Sequence, residues 1–312
     1  MKKIISLLLL IFLTSCLNIK NKNSALKIIA PTGAPSLAFL NEAQNDNFET
    51  NSVPTNIISM MNETSDKDII VIDTISGLKA IDSGAPYKLA ATITSGNFYI
   101  AACGNDIDKT MNKGDKIVLF GQNLMPDIIF HYLYGNEFDE EIEYVSSVGD
   151  AGKVLASSKN FETGNDINYV FIAEPILTTV LNNKEVATYQ KAYTYLNIQD
   201  EYYKKTNKSL ISASLFIKND ANKDSIDAYL ENLEKNINKL LNDQEYVDEL
   251  LKANNTDELT SVYGLNSNMI KDVLKDNSIG LCFIKASENV NVLNEFINLF
   301  GMDSINEEII YK

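Results

Sequence analysis

Arginine is missing altogether, since each of the 27 cationic side chains is a lysine. The planar fork that grips carboxylate, phosphate or sulfonate through two parallel hydrogen bonds is therefore unavailable anywhere in the chain. Cations are outnumbered by 42 acids, for a formal net charge of −15. Such a chain is repelled by polyphosphate and by anionic lipid headgroups, which excludes a nucleic-acid binder or a protein held to membranes by charge. There is one histidine, His131. A Ser-His-Asp triad would have to use it, but it lies in an amphipathic helical stretch with no nucleophile elbow, so its role reads as structural. Tryptophan is absent and asparagine abundant, a bias of base composition that carries little about function. Cysteine is scarce. Cys103 and Cys282 stand in apolar surroundings, IAACG and GLCFI, where a thiol behaves as a small buried hydrophobe, and neither has CxxC spacing. Whether these two pair is left open by their spacing. There is no GxxxxGK[ST] phosphate loop and no dinucleotide fingerprint. No metal site, cofactor or catalytic residue is expected.

At 312 residues and 45% hydrophobic content the chain is too long for one small core and too apolar for disorder. Two lobes of roughly 100 to 150 residues are expected. The first sixteen residues, MKKIISLLLLIFLTSC, carry two lysines, an apolar run from Ile4 to Leu13, then Thr14, Ser15 and Cys16. Ten residues rise about 15 Å as a helix, half of a hydrocarbon core of ~30 Å, so the run reads as a signal peptide over 1–15 and not as a span. The tetrad Leu13-Thr14-Ser15-Cys16 resembles a lipobox, which implies lipidation of Cys16. Residues 16–24 are short and polar, as a tether should be. No other window approaches ~18 apolar residues, so the expected product is a soluble body, extracytoplasmic and anchored to the membrane by its lipid.

Along the body, short apolar runs alternate with helical segments. Strands are expected at 26–30, 68–72, 88–93, 98–102, 116–120, 142–145, 169–172, 212–217 and 279–284. Helices are expected near 37–40, at 76–81, 127–134, 150–158 and from Pro175, then at 225–241, 244–252 and 290–300. Residues 193–203 read as a tyrosine-rich connection. The alternation predicts an α/β architecture of parallel sheets with helices on their faces. The stripe Ile226, Tyr229, Leu230, Leu233 and Ile237 recurs at helical spacing as ordinary core packing.

Open α/β sheets bind ligands beyond the carboxyl ends of their strands. Six turns occupy such positions: Pro31-Thr32-Gly33-Ala34, Thr74-Ile75-Ser76-Gly77, Thr94-Ser95-Gly96-Asn97, Gly121-Gln122-Asn123, Ser146-Ser147 and Glu174-Pro175. All are small or polar, and their spread over both halves points to a pocket between lobes. A capped or tight turn is the competing account of each one.

The segments PTGAPSLAFL (31–40), SGAPYKLAATITSGNFYI (83–100), FGQNLMPDIIFHYL (120–133), YVFIAEPILTTVL (169–181), LNIQDEYYKKTNKSLISASLFIKND (196–220) and the closing NEEIIYK together resemble the extracytoplasmic solute-binding lipoproteins of ABC importers, in their nitrate/sulfonate/thiamine-precursor-like branch. The resemblance implies a two-lobe type II periplasmic-binding-protein fold, with lobe 1 formed by 25–98 plus 212–312 and lobe 2 by 99–211. It also implies a hinged cleft that holds a small-molecule ligand, partnership with an ABC permease and ATPase, and a monomer. Carried over position by position, it assigns ligand binding to Thr32, Gly33, Ser76, Ser95, Asn97, Gln122, Asn123, Ser147 and Glu174. Two departures bear on the ligand. Ile75-Ser76-Gly77 replaces a Pro-Thr-Asn turn, and Ser95 stands where an aromatic often precedes the Gly-Asn pair, which argues against a stacking platform. Without arginine, an anion would have to rely on Lys79, Lys88 or a helix N-terminus. Hydroxyls and amides suit a neutral or weakly basic solute. The alternatives are an enzyme on the same bilobed fold, for which Glu174 and Asp73 would be the acid–base pair, and a surface sensor or adhesin.

Overall fold

A computed structural model describes residues 25–103, 111–182 and 195–312. The leader, the tetrad and Cys16 lie outside the described residues. Among those described, eleven strands form two sheets flanked by helices. The first sheet contains β1 (Ile28–Pro31), β2 (Phe48–Asn51), β3 (Ile69–Asp73), β4 (Tyr87–Thr94), β10 (Ala213–Lys218) and β11 (Leu281–Lys285), in the order β11-β4-β10-β3-β1-β2. The second holds β5 (Phe98–Ala102), β6 (Ile117–Phe120), β7 (Ile142–Val145), β8 (Tyr169–Ala173) and β9 (Tyr195–Asn197), in the order β7-β6-β8-β5-β9.

Both sheets are mixed, not parallel as the alternation suggested. β1 pairs parallel with β2 and β3, but β10 runs antiparallel between β3 and β4, with Phe216 opposite Ile70 on one side and Leu89 on the other. In the second sheet β6 is parallel to β7 and β8, while β5 is antiparallel to β8 and β9. Two of the reversed strands, β5 and β10, are the first that the chain enters after each crossing between the sheets; the third, β11, runs antiparallel to β4 at the edge of the first sheet. A strand entering from the other sheet arrives without a βαβ crossover, so nothing forces it parallel.

Period-2 alternation sorts each strand's side chains to two faces. Ile28, Ala30, Ile69 and Val71 face a core closed by Leu37, Phe39 and the long helix Lys223–Asn242. Ile29, Ile70 and Ile72 face the other way, into a cluster that continues through Phe98, Ile117 and Phe171 of the second sheet. Tyr99, Val118, Val170 and Ile172 pack outward against the helices Val148–Ser157 and Ile176–Leu181.

The reading of 193–203 as a connection is corrected over its described part. Residues 195–197 are β9, and Ile198–Thr206 form a helix whose N-cap, Asn197, accepts the Gln199 N–H. That helix buries Ile198 and Tyr202, and the Tyr202 ring lies 6.4 Å from Phe296 of the helix Val290–Asn298. β2, the short helix Pro54–Ser59, and the helices Thr256–Tyr263 and Ser267–Lys275 had no counterpart in the sequence reading. Their polar content hides short apolar stripes, and their N-caps, Asn255 and Asn266, look like loop residues until the following turn is seen.

Candidate functional site

The chain crosses between the sheets twice, through Ser95-Gly96-Asn97 and back through residues 207–212. Beside these crossings, beyond the carboxyl ends of β1, β3, β4 and β6, lies a cleft of about 410 Å³. From the first sheet's side it is lined by Pro31, Ile72, Asp73, Ile75, Ser76 and Lys79, and from the second's by Phe98, Phe120, Asn123, Leu124 and Met125. Ser212 of the return crossing, Ala213 at the start of β10 and Phe300 near the C-terminus are also among its lining residues. Two larger concavities, around Lys218, Tyr311 and Lys312 and around Met61, Lys79 and Ser83, draw on one half of the molecule only. The cleft draws on strand ends of both sheets, where α/β folds place ligands.

Of the nine residues assigned from sequence, Ser76, Asn97 and Asn123 line this cleft. Ser76 sits in the first turn of the helix Thr74–Asp82 and donates its N–H to the Asp73 carboxylate at 2.8 Å. Asn97 locks the crossing, since its side-chain amide donates to the Glu174 carbonyl at 2.8 Å and its own carbonyl accepts the Glu174 N–H at 2.8 Å. Asn123 holds a left-handed φ of 61°, where asparagine is among the tolerated residues.

The other six lie outside the cleft lining. Thr32 turns its methyl toward Gly264, and Gly33 abuts Pro175. Ser95 is tied to Gly280, its N–H donating to the Gly280 carbonyl at 2.7 Å and its hydroxyl at 3.3 Å. Gln122 is exposed. Ser147 caps the helix Val148–Ser157, accepting the Asp150 N–H at 3.1 Å. Glu174 is buried; its carboxylate accepts the Thr178 N–H and hydroxyl, each at 2.9 Å, and lines a separate pocket with Tyr99, Asp272 and Ser278. Asp73 and Glu174 therefore do not share one pocket, and the acid–base pair that an enzyme on this fold would use is not assembled.

Burial is the main cause that pushes the Asp73 carboxyl above its ordinary range, against the Ser76 hydrogen bonds and the nearby Lys79 charge, which pull it down. Burial likewise raises Glu174, opposed by the Thr178 hydrogen bonds. Lys79 is exposed at the rim of the cleft, whereas Lys88 lines a concavity at the far end of the first sheet. His131 is engaged on both nitrogens, Nδ1 lying 2.9 Å from Asp127 Oδ1 and Nε2 3.3 Å from Asp139 Oδ1. Cys103 and Cys282 are free thiols, one buried in the second sheet's half and one in β11 of the first. Among the described residues no three His, Cys, Asp or Glu side chains converge to hold a metal ion, and no helix is long and apolar enough to cross a membrane.

Reading the turns for polar groups missed what dominates the lining. Phe98, Phe120 and Phe300 supply aromatic surface, with the Phe98 and Phe120 rings 6.2 Å apart at 61°. The stacking surface that Ser95 lacks thus comes from other positions. Phe98 and Phe120 are the first residue of β5 and the last of β6, so strand-end aromatics were the available signal. Phe300 carried none, because it reaches the cleft from 200 residues away in sequence.

No family model matches the chain, and no curated protein matches it. Solved structures do. An ABC transporter protein from Parabacteroides distasonis aligns with a TM-score of 0.66 at 17% identity, covering 92% of this chain and 95% of that one. The periplasmic aliphatic sulphonate-binding protein SsuA of Escherichia coli aligns at 0.64 and 14% identity, over 92% of each chain. The ligand-binding component of an ABC-type import system from Staphylococcus aureus, solved with zinc bound, aligns at 0.62 and 13%, over 92% and 96%. These neighbours are transport binding proteins, and the chain shares their periplasmic-binding-protein fold.

Proposed function

We propose that this protein is the solute-binding component of an ABC importer, which captures a small organic molecule in the cleft and delivers it to a membrane permease without transforming it. The observation that carries the reading is the cleft itself, built by both sheets at their strand ends on a fold whose solved neighbours are import binding proteins. In this reading residues 25–98 with 212–312 act as one lobe and 99–211 as the other, closing about the two crossings. The exposed side chain of Leu124, 62% accessible at the cleft wall, is the kind of surface that ligand and closure would cover. Lipidation at Cys16 would hold the protein outside the cytosol. Native mass spectrometry of freshly purified protein should reveal a copurified small molecule, and a deletion strain should lose uptake of that molecule. Unchanged uptake together with a cleft that holds nothing refutes the reading.

A further inference from the structure

We propose that the cleft selects an uncharged, largely apolar organic solute, packed against its phenylalanines and hydrogen-bonded to Ser212, and that it rejects sulfonates, phosphates and carboxylates; this rests on the solute-binding reading above.

The argument starts from what an anion would need. With no arginine in the chain, the remaining devices are lysine and the N-termini of helices. The helical segments that open onto the cleft already carry the protein's own acids or prolines at their starts. Asp73 places its carboxylate over the helix Thr74–Asp82 and takes the Ser76 N–H. At the helix Met125–Tyr134, Asp127 Oδ2 accepts the Asn123 N–H at 2.7 Å, and Pro126 has no N–H to offer. The 3-10 segment Ala34–Glu42 carries Pro35 at its start, and its Ser36 N–H is spent on the Gly33 carbonyl at 3.1 Å. The one lysine among the cleft's lining residues, Lys79, is exposed at the rim and already has the Asp73 carboxylate near it. An anion in the cleft would meet the Asp73 carboxylate and an apolar wall, with its hydration lost and little returned.

One buried polar group of the lining is left over. Ser212, 9% exposed, lines the cleft, and its hydroxyl oxygen, itself closed to solvent, has no hydrogen-bond partner in the protein, so a ligand meets it once the side chain rotates toward the cleft. Its backbone is fully used, the N–H donating to the Thr94 carbonyl at 3.0 Å and the carbonyl accepting from Thr74. A buried hydroxyl left unmet favours any ligand that supplies its missing partner. A ligand with an apolar body and one neutral polar group satisfies the wall and the hydroxyl together.

The test is calorimetry on the full mature chain at pH 7.5 with four probes of one shape: benzenesulfonamide, benzenesulfonate, benzylammonium and toluene. Benzenesulfonamide should bind at least about tenfold more tightly than the sulfonate or the ammonium. Ser212→Ala should weaken the sulfonamide about three- to tenfold and leave toluene unchanged. Sulfonate or ammonium binding as tightly as the sulfonamide overturns the assigned class, as does failure of both neutral probes to bind. Equal loss for sulfonamide and toluene, or none for either, overturns the Ser212 anchor. A copurified anion in the native mass spectrum would sink this proposal while upholding solute capture. Unchanged uptake on deletion would sink solute capture itself.

Discussion

Substituting Gly280 by alanine tests the packing of the crossing between the two sheets. A Cβ built on Gly280 would stand 2.0 Å from the Gly96 carbonyl oxygen and 3.1 Å from its nitrogen. Ordinary carbon–oxygen contacts begin near ~3.3 Å, so the two backbones would have to part by about 1.3 Å. The obstacle is main chain and cannot swing aside. Overpacking of this kind costs about 1–3 kcal/mol. Gly280 also sits at φ 64°, where an L side chain adds about 1–2 kcal/mol. The sum, about 2–5 kcal/mol, corresponds to a fall in melting temperature of at least about 4 °C at ~2 °C per kcal/mol for a chain of this size. Gly301→Ala is the control, because Gly301 has nearly the same φ, 67°, with nothing within 4 Å of the added carbon. It should show the backbone cost alone. Scanning calorimetry of both variants separates the two contributions. If Gly280→Ala melts within 1 °C of Gly301→Ala, the close approach of Gly280 to Gly96 of the crossing is not a constraint and the reasoning fails.

Two further predictions follow from burial. The folded Glu174 carboxyl is raised above its ordinary value, so its buried charge weakens the fold at neutral pH, and the fold gains stability as pH falls through the raised value toward ~4.3. Glu174→Gln removes that dependence. Its melting temperature minus that of the parent should be larger at pH 7 than at pH 5, and a difference that is flat or reversed between those pH values contradicts the assignment. Burial pushes the Cys103 and Cys282 thiols up to about 12. Both should therefore react with an aromatic disulfide reagent at pH 8 at least ~100-fold more slowly in the folded protein than in denaturant, and rapid labelling of either thiol in the native state would show that it is not shielded as described.

Much of the scaffold was legible locally. Strands such as Ile69–Asp73 and Tyr169–Ala173 are short, largely apolar runs next to turn residues, and the long helix Lys223–Asn242 displays its stripe from Ile226 to Ile237. Strand direction was not legible, because β5 and β10 look like any other buried strand until the crossings fix which way they run. At the site, four of the six turns contribute a residue to the cleft lining, but the side chains within them were weighed by chemistry alone. Ser147 and Ser95 have hydroxyls suited to a ligand, and the fold spends them on a helix cap and on Gly280.

Composition by itself determined that this protein has no arginine with which to grip an anion, and hydrophobic periodicity determined that it has the elements of an α/β fold. Only tertiary structure decided what the cleft is made of. A turn residue's role depends on which neighbour reaches its hydrogen-bonding groups first, and those neighbours come from distant parts of the chain. Phe300 and Ser212 became cleft residues because two sheets and a C-terminal segment converge there, a coincidence in space that no local pattern encodes.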